Sequence, residues 1–152
     1  MPTHSGRTEI IMLGFIFSII AGAAMSVQGV FNTNLSEKTG LFESNAFIQG
    51  SAFILSLIIM WIFGDGNISE IFSADKLYLT GGILGVAITV TVMLAIKFLS
   101  PTVAISTILI SQLLTAAAID VFGLFGAEKI PFGLPKYIGV ALMIAGVILL
   151  KI

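Results

Sequence analysis

Few side chains in this sequence could do chemistry, and those few interrupt long apolar stretches. Gln28 and Asn32 stand four residues apart in one stretch, Gln49 lies in the next, and Gln112 and Asp120 lie together in a later one. Amides both donate and accept hydrogen bonds, and a carboxylate attracts a cation or carries a proton. These residue types in apolar surroundings predict a binding site for polar or cationic groups, with Gln28, Asn32, Gln49, Gln112 and Asp120 as candidates.

Asp120 is the strongest candidate, because Ile119 and Val121 flank it and the stretch around it is apolar. An acid within a membrane span is expensive and is a functional residue by default. It would also lie near a helix C-terminus, where the helix dipole disfavours an anion. The alternative is an interfacial anchor at the end of a span that begins at Pro101. For Gln28 and Asn32 the alternative is a structural hydrogen bond between helices.

Several functional classes are excluded or disfavoured by composition. The chain has no cysteine and one histidine, so thiol chemistry and a histidine metal cluster are excluded, and we expect no metal and no cofactor. The net charge of -1 gives no electrostatic footprint for nucleic acid. No nucleophile has a histidine or lysine beside it in a polar cluster, and no phosphate loop occurs, so we do not expect an enzyme.

The elements that position these residues are predicted from the hydropathy of the chain. Of the 152 residues, 57% are hydrophobic and only 10% are charged, against roughly 25% charged residues in soluble domains. Four stretches of about 20 residues or more contain no charge, which is enough to cross a bilayer as helices. A fifth, between Lys136 and Lys151, is shorter, but lysines at both ends can extend toward the interface.

We therefore predict an all-α membrane protein in which residues 1–9 form a polar leader and residues 10–152 form one transmembrane domain. The five helices are expected at about residues 10–35, 44–63, 78–98, 101–125 and 135–151. Between the second and third helices, Ile68, Ile71 and Phe72 have helical spacing, which fits a short helix in the interface or an ordinary loop equally well.

The basic residues give little preference for one orientation in the membrane. With five helices, one side carries Arg7, Lys76, Lys129 and Lys136, and the other carries Lys38, Lys97 and Lys151. A surplus of one basic residue orients a membrane protein weakly under the positive-inside rule. The sequence thus fits insertion in both orientations, or dependence on a partner; the alternative is a weak preference for a cytoplasmic N-terminus.

The depth of the polar residues connects them to this topology. In one copy, Gln28, Asn32 and Gln49 belong to one half of the membrane and Asp120 to the other. In an antiparallel dimer, Asp120 of the inverted copy comes to the level of the three amides. Two equivalent polar layers about the midplane would result, as in inverted-repeat carriers that work by alternating access.

Three stretches of the sequence resemble one known family. Gly22 to Leu35, the Gly81-Gly82-x-x-Gly85 motif, and Gln112 to Gly126 with its Gln, Asp and Phe-Gly-x-Phe-Gly pattern are similar to the YdcZ-type proteins of the drug/metabolite transporter superfamily. The resemblance implies half of a ten-helix inverted-repeat transporter in a bacterial inner membrane, usually labelled an exporter. It also implies a homodimer, or a heterodimer with a paired homologue.

The leading hypothesis is a secondary transporter that exports a small metabolite or drug-like solute as a dimer. Asp120 would offer charge, the amides would orient the solute, and Gly81, Gly82 and Gly85 would allow close helix packing and sliding. The alternatives are a dual-topology ion channel and a membrane scaffold without transport. Related four-helix exporters carry an essential Glu in their first helix, where this chain has no acid, so coupling to protons or cations would fall to Asp120.

Overall fold

The computed structural model describes residues 4–151, and their regular structure is entirely helical. Five α-helices follow one another: α1 (His4–Thr39), α2 (Leu41–Phe63), α3 (Gly81–Phe98), α4 (Pro101–Phe122) and α5 (Leu134–Lys151). Three short 3-10 helices, Ile68–Ser73, Tyr78–Thr80 and Leu124–Gly126, lie in the connections. The predicted all-α class is confirmed.

Four of the helices are long and apolar enough to cross a membrane. These segments are Glu9–Thr39, Leu41–Phe63, Tyr78–Phe98 and Pro101–Phe122. The apolar part of α5, Leu134–Leu150, is shorter. At 1.5 Å per residue it measures about 25 Å, slightly less than the hydrocarbon core of about 30 Å. The role of α5 as a fifth span remains a prediction.

The ends of the helices follow from local chemistry. Ser100 caps α4, since the Val103 N–H donates to its Oγ at 3.4 Å, and Pro101 stands in the first turn, where it loses no hydrogen bond. Gly123 ends α4 in the left-handed conformation with φ 63°, and its N–H donates to the Ile119 carbonyl. Helix α4 thus ends at Phe122 rather than near residue 125.

The connection between the first two helices is much shorter than predicted. We expected a loop over Glu37 to Glu43, but α1 continues to Thr39 and α2 begins at Leu41, which leaves Gly40 alone between them. Gly40 has φ 101°, a conformation that favours glycine. Charged residues can continue a helix outside the membrane. Glu37, Lys38 and Glu43 therefore indicate where the membrane ends and not where the helices end.

The segment between α2 and α3 contains a short turn of helix. Ile68–Ser73 forms a 3-10 helix, and the Asn67 side chain accepts a hydrogen bond from the Ser69 N–H at 3.1 Å. Phe72 is 93% exposed, so this segment has no apolar cover from the chain itself. Its placement in the membrane interface stays a prediction.

The chain divides into two compact units at Leu94 and Ala95, within α3. In the first unit, α1 packs against α2; in the second, α4 packs against α5. Buried side chains are few in the part of the chain that the structure describes, and most large apolar side chains of the helices are exposed. Such surfaces suit a lipid environment, where the backbone is satisfied within each helix.

Candidate functional site

The site candidates of the first unit begin with Gln49, which links α2 to α3. Its Nε2 donates to Thr89 Oγ1 at 3.2 Å, and Thr89 Oγ1 donates in turn to the Gly85 carbonyl at 2.9 Å. A methyl group added at Gly85 would lie 3.8 Å from Gln49 Nε2, which is an ordinary contact. The structure therefore brings Gln49 and Gly85 together, although this contact alone does not require a glycine.

Gln28 and Asn32 lie on one face of α1, along an open groove of about 470 Å³. Every residue that lines this groove belongs to α1, and the lining residues are Ala23, Ala24, Val27, Gln28, Phe31 and Asn32. Gln28 is exposed and Asn32 is half-buried. The groove thus has a wall from one helix only. An unpaired amide facing hydrocarbon costs several kcal/mol, so this face calls for a polar partner.

Sequence reasoning missed Asn45, a buried polar side chain of the first unit. Asn45 is 7% exposed, and its Oδ1 is buried with no hydrogen-bond partner among the described residues. The neighbouring Ser44 is 1% exposed; its Oγ donates to the Leu41 carbonyl at 3.0 Å and lies 3.7 Å from Met93 Sδ. In the sequence, Asn45 lies two residues after the charged Glu43, at the start of the predicted second helix.

The signal that could have identified Asn45 is its spacing. Asn45 and Gln49 are four residues apart on α2, as Gln28 and Asn32 are on α1. Residues four apart share a helix face. With Gly40 as the turn, Asn32 and Gln49 lie about 12 and 14 Å along their helices from it, so they share one level of the first unit.

In the second unit, α4 carries both remaining polar candidates. Gln112 is exposed and Asp120 is half-buried. Eight residues separate them, which is about 12 Å along the axis and about 80° around it. The Asp120 carbonyl accepts a hydrogen bond from the Ile130 N–H at 2.9 Å, which ties the following loop to the end of α4. Within the described range, no protein group forms an ion pair or hydrogen bond with the Asp120 carboxylate.

Two threonine hydroxyls of α4 are bonded to their own helix. Thr107 Oγ1 donates to the Val103 carbonyl at 2.8 Å, and Thr115 Oγ1 donates to the Ser111 carbonyl at 2.9 Å. Hydroxyls bonded to their own backbone are poorly available for a ligand. Thr107 and Thr115 are therefore poorly placed to bind a solute, and Gln112 and Asp120 remain the candidates on α4.

The two other candidate glycines lie on an open face. Apart from the adjacent backbone of the same helix, no atom of the described chain lies within 4 Å of a methyl group placed at Gly81 or Gly82. Gly81 and Gly82 therefore do not pack closely against another helix among the described residues. The predicted packing role of Gly81 and Gly82 would need a second copy or another partner.

Comparison with known proteins assigns the chain to a family. The model of the family described as "putative inner membrane exporter, YdcZ" matches residues 13–149, which is most of the chain. No curated protein and no solved structure gives a significant match. The family description as a membrane protein agrees with the four apolar helices that are long enough to span a bilayer. The chain belongs to the YdcZ family, and it is a helical transporter-type protein of the inner membrane.

Proposed function

We propose that this protein is a secondary transporter that exports a small metabolite or drug-like solute by alternating access, and that it works as an antiparallel dimer. The partner copy is either the same chain or a paired homologue. The observation that carries the proposal is the groove on α1, where Gln28 and Asn32 face outward from a single helix. In a bilayer these amides need a partner that lipid cannot provide.

Depth supports an inverted second copy as that partner. The charge-free part of α1 ends near Ser36, so Asn32 lies about 6 Å below the membrane surface on that side and Gln28 about 12 Å below it. Asp120 lies within about 3 Å of the end of α4. Inverting a second copy brings its Asp120 to the level of Asn32 and Gln49, and the carboxylate then meets amide donors.

In this arrangement each residue has a distinct task. The Asp120 carboxylate binds a cationic solute and a proton in turn, so that one is exchanged for the other. Asn32 and Gln49 orient polar groups of the solute. Gln28 and Gln112 lie nearer the midplane, in the part of the site that opens alternately to the two sides of the membrane. Gly81, Gly82 and Gly85 permit close approach of helices as the copies rock.

The function is tested by transport in vesicles. A thermal-stability screen of purified protein against small organic cations, anions and neutral solutes selects the substrate, since a ligand of the folded state raises its apparent stability. Uptake of the selected solute, and of the fluorescent organic cation ethidium, is then driven by a pH gradient in proteoliposomes. Wild-type flux should saturate with solute concentration, as a carrier requires.

The decisive variant is Asp120→Asn, which keeps the shape of the side chain and removes its charge. Flux should fall at least tenfold, equivalent to about 1.4 kcal/mol in the transition state. Glu128→Gln, which removes a nearby acid outside the proposed site, should keep wild-type flux. Unchanged flux in Asp120→Asn would end the role given to Asp120, and flux that does not saturate in the wild type would indicate a channel.

A further inference from the structure

A groove made of two adjoining cavities lies along the α4–α5 hairpin, inside the second unit. Its inner part has a volume of about 360 Å³ and is lined by apolar residues that include Leu114, Ala118, Ala141 and Ile144. Its outer part has a volume of about 490 Å³ and is lined by Lys129 and Pro131. Val121, Phe132 and Tyr137 line both parts, so the two cavities adjoin.

The inner part of the groove is apolar, and its length is similar to the hydrocarbon depth of one leaflet. It extends from Phe122 back to Leu114 on α4, and from Tyr137 to Ile144 on α5. These distances correspond to about 12 and 10 Å of helix. Half of a hydrocarbon core of about 30 Å is about 15 Å, so the groove covers most of the depth of one leaflet's acyl chains.

The mouth of the groove is aromatic and cationic. The rings of Phe132 and Tyr137 meet edge to face, with centroids 4.7 Å apart. Lys136 Nζ lies 5.4 Å from the centroid of the Phe132 ring, and Lys129 lines the outer cavity. Two lysines against Glu128 leave the stretch 127–136 with a positive balance. Aromatic rings and lysine side chains at this depth are typical of the headgroup region.

We propose that this groove binds an anionic phospholipid, with one acyl chain between α4 and α5 and the phosphate at the mouth within reach of Lys129 and Lys136. Charge complementarity selects an anionic headgroup, because each lysine near the surface contributes about a factor of five to the attraction. The apolar lining and its length select a lipid chain over a free anion. This lipid site is separate from the proposed transport residues and does not depend on transport.

Binding is tested on the full-length protein in detergent by native mass spectrometry and thermal unfolding. The probes are phosphatidylglycerol and phosphatidylcholine with identical acyl chains, and glycerol phosphate, which has the anionic group without the chains. Phosphatidylglycerol should bind the wild type more tightly than phosphatidylcholine, and glycerol phosphate should not shift the melting temperature. Equal binding of the two lipids, or a shift with glycerol phosphate alone, would overturn the proposal.

Two pairs of variants locate the site. The double variant Lys129→Gln with Lys136→Gln should lose about 30-fold in affinity for phosphatidylglycerol, whereas Lys97→Gln should not change it. Ala141→Leu fills the groove and should weaken both lipids, whereas Ala116→Leu, outside the lining residues, should weaken neither. Restoring the charge with arginine at 129 and 136 should restore the preference for phosphatidylglycerol. A preference for phosphatidylglycerol that persists without both lysines would contradict the site.

Discussion

The two units of the chain differ in the polar groups they carry and in how those groups are satisfied. The spans of the first unit hold neutral amides at Gln28, Asn32, Asn45 and Gln49, of which Gln49 bonds to a neighbouring helix. The second unit holds the amide Gln112 and the acid Asp120 on α4, and two of its α4 hydroxyls, Thr107 and Thr115, are bonded to their own backbone. Most of the candidate amides thus lie in the first unit, and the candidate acid lies in the second.

The two hairpins also turn in different ways. In the first unit, Gly40 alone joins α1 to α2. In the second, α4 ends at Gly123 with φ 63°, and a 3-10 turn with Phe125 at φ 57° follows before α5 begins at Leu134. The longer connection carries Lys129 and Phe132, and the first turn of α5 carries Lys136 and Tyr137. The amide candidates of the first unit lie inside its spans, whereas these charged groups of the second unit lie near the end of its hairpin.

The largest stability change should come from Asn45, the unpaired amide of the first unit. Asn45→Leu removes a buried acceptor without a partner and should raise the free energy of unfolding by about 1–3 kcal/mol. Asn34→Leu, the same change at an exposed position of α1, should alter it by less than about 0.5 kcal/mol. Denaturant titration in detergent measures both. A loss of stability in Asn45→Leu would contradict the account of an unsatisfied Oδ1.

The next change tests whether the hairpins are independent. A methyl group at Gly123 would lie 3.3 Å from the Ala127 carbonyl oxygen in a backbone conformation that favours glycine. Gly123→Ala should destabilise the α4–α5 hairpin by about 1–2 kcal/mol. Hydrogen exchange should accelerate in α4 and α5 and stay unchanged in α1 and α2. Equal acceleration in all four helices would remove the distinction between the units.

Gly146→Ala is the matched control for that substitution. Gly146 is helical, and among the described residues no atom beyond the adjacent backbone of α5 lies within 4 Å of an added methyl group. Alanine there should raise the helix stability by about 0.5–1 kcal/mol. A destabilising effect would show that α5 is in close contact with a partner at this position.

The smallest expected effect concerns Asn32 in the α1 groove. Asn32→Leu should weaken association of two copies by about 0.6 kcal/mol, roughly threefold, because it removes one hydrogen bond between helices in the membrane. Ser26→Ala should leave association unchanged, since the Ser26 hydroxyl donates to the Gly22 carbonyl of its own helix. Energy transfer between labelled copies measures the dissociation constant. If Asn32→Leu associates more tightly than the wild type, this face of α1 contacts lipid and not a second copy.

Much of the fold could be predicted from the sequence because membrane spans are set by length and hydropathy. The positions of α2, α3 and α4 were predicted to within a few residues. The end of α1 could not be predicted in the same way, since Glu37 and Lys38 mark where water begins while the helix continues to Thr39. The end of α4 depended on the conformation of Gly123, which one sequence cannot reveal.

The candidate site was predicted only in part. Residue type and spacing identified Gln28, Asn32, Gln49, Gln112 and Asp120, but burial depends on which helices pack together. Asn45 therefore escaped notice, and Gly81 and Gly82 have no neighbour within 4 Å although their spacing suggested close packing. Neither hydropathy nor spacing determines how helices assemble in the membrane.

The most direct test of the central claim is a cross-link between two copies that each carry a single cysteine. The chain has no native cysteine, so co-expressed Asn32→Cys and Asp120→Cys proteins can link only to one another or to themselves. The account predicts efficient links between the two variants with a short bifunctional thiol reagent, and none when Thr102→Cys replaces Asp120→Cys. Absence of the first link in folded protein, or equal yields with Thr102→Cys, would contradict the antiparallel dimer.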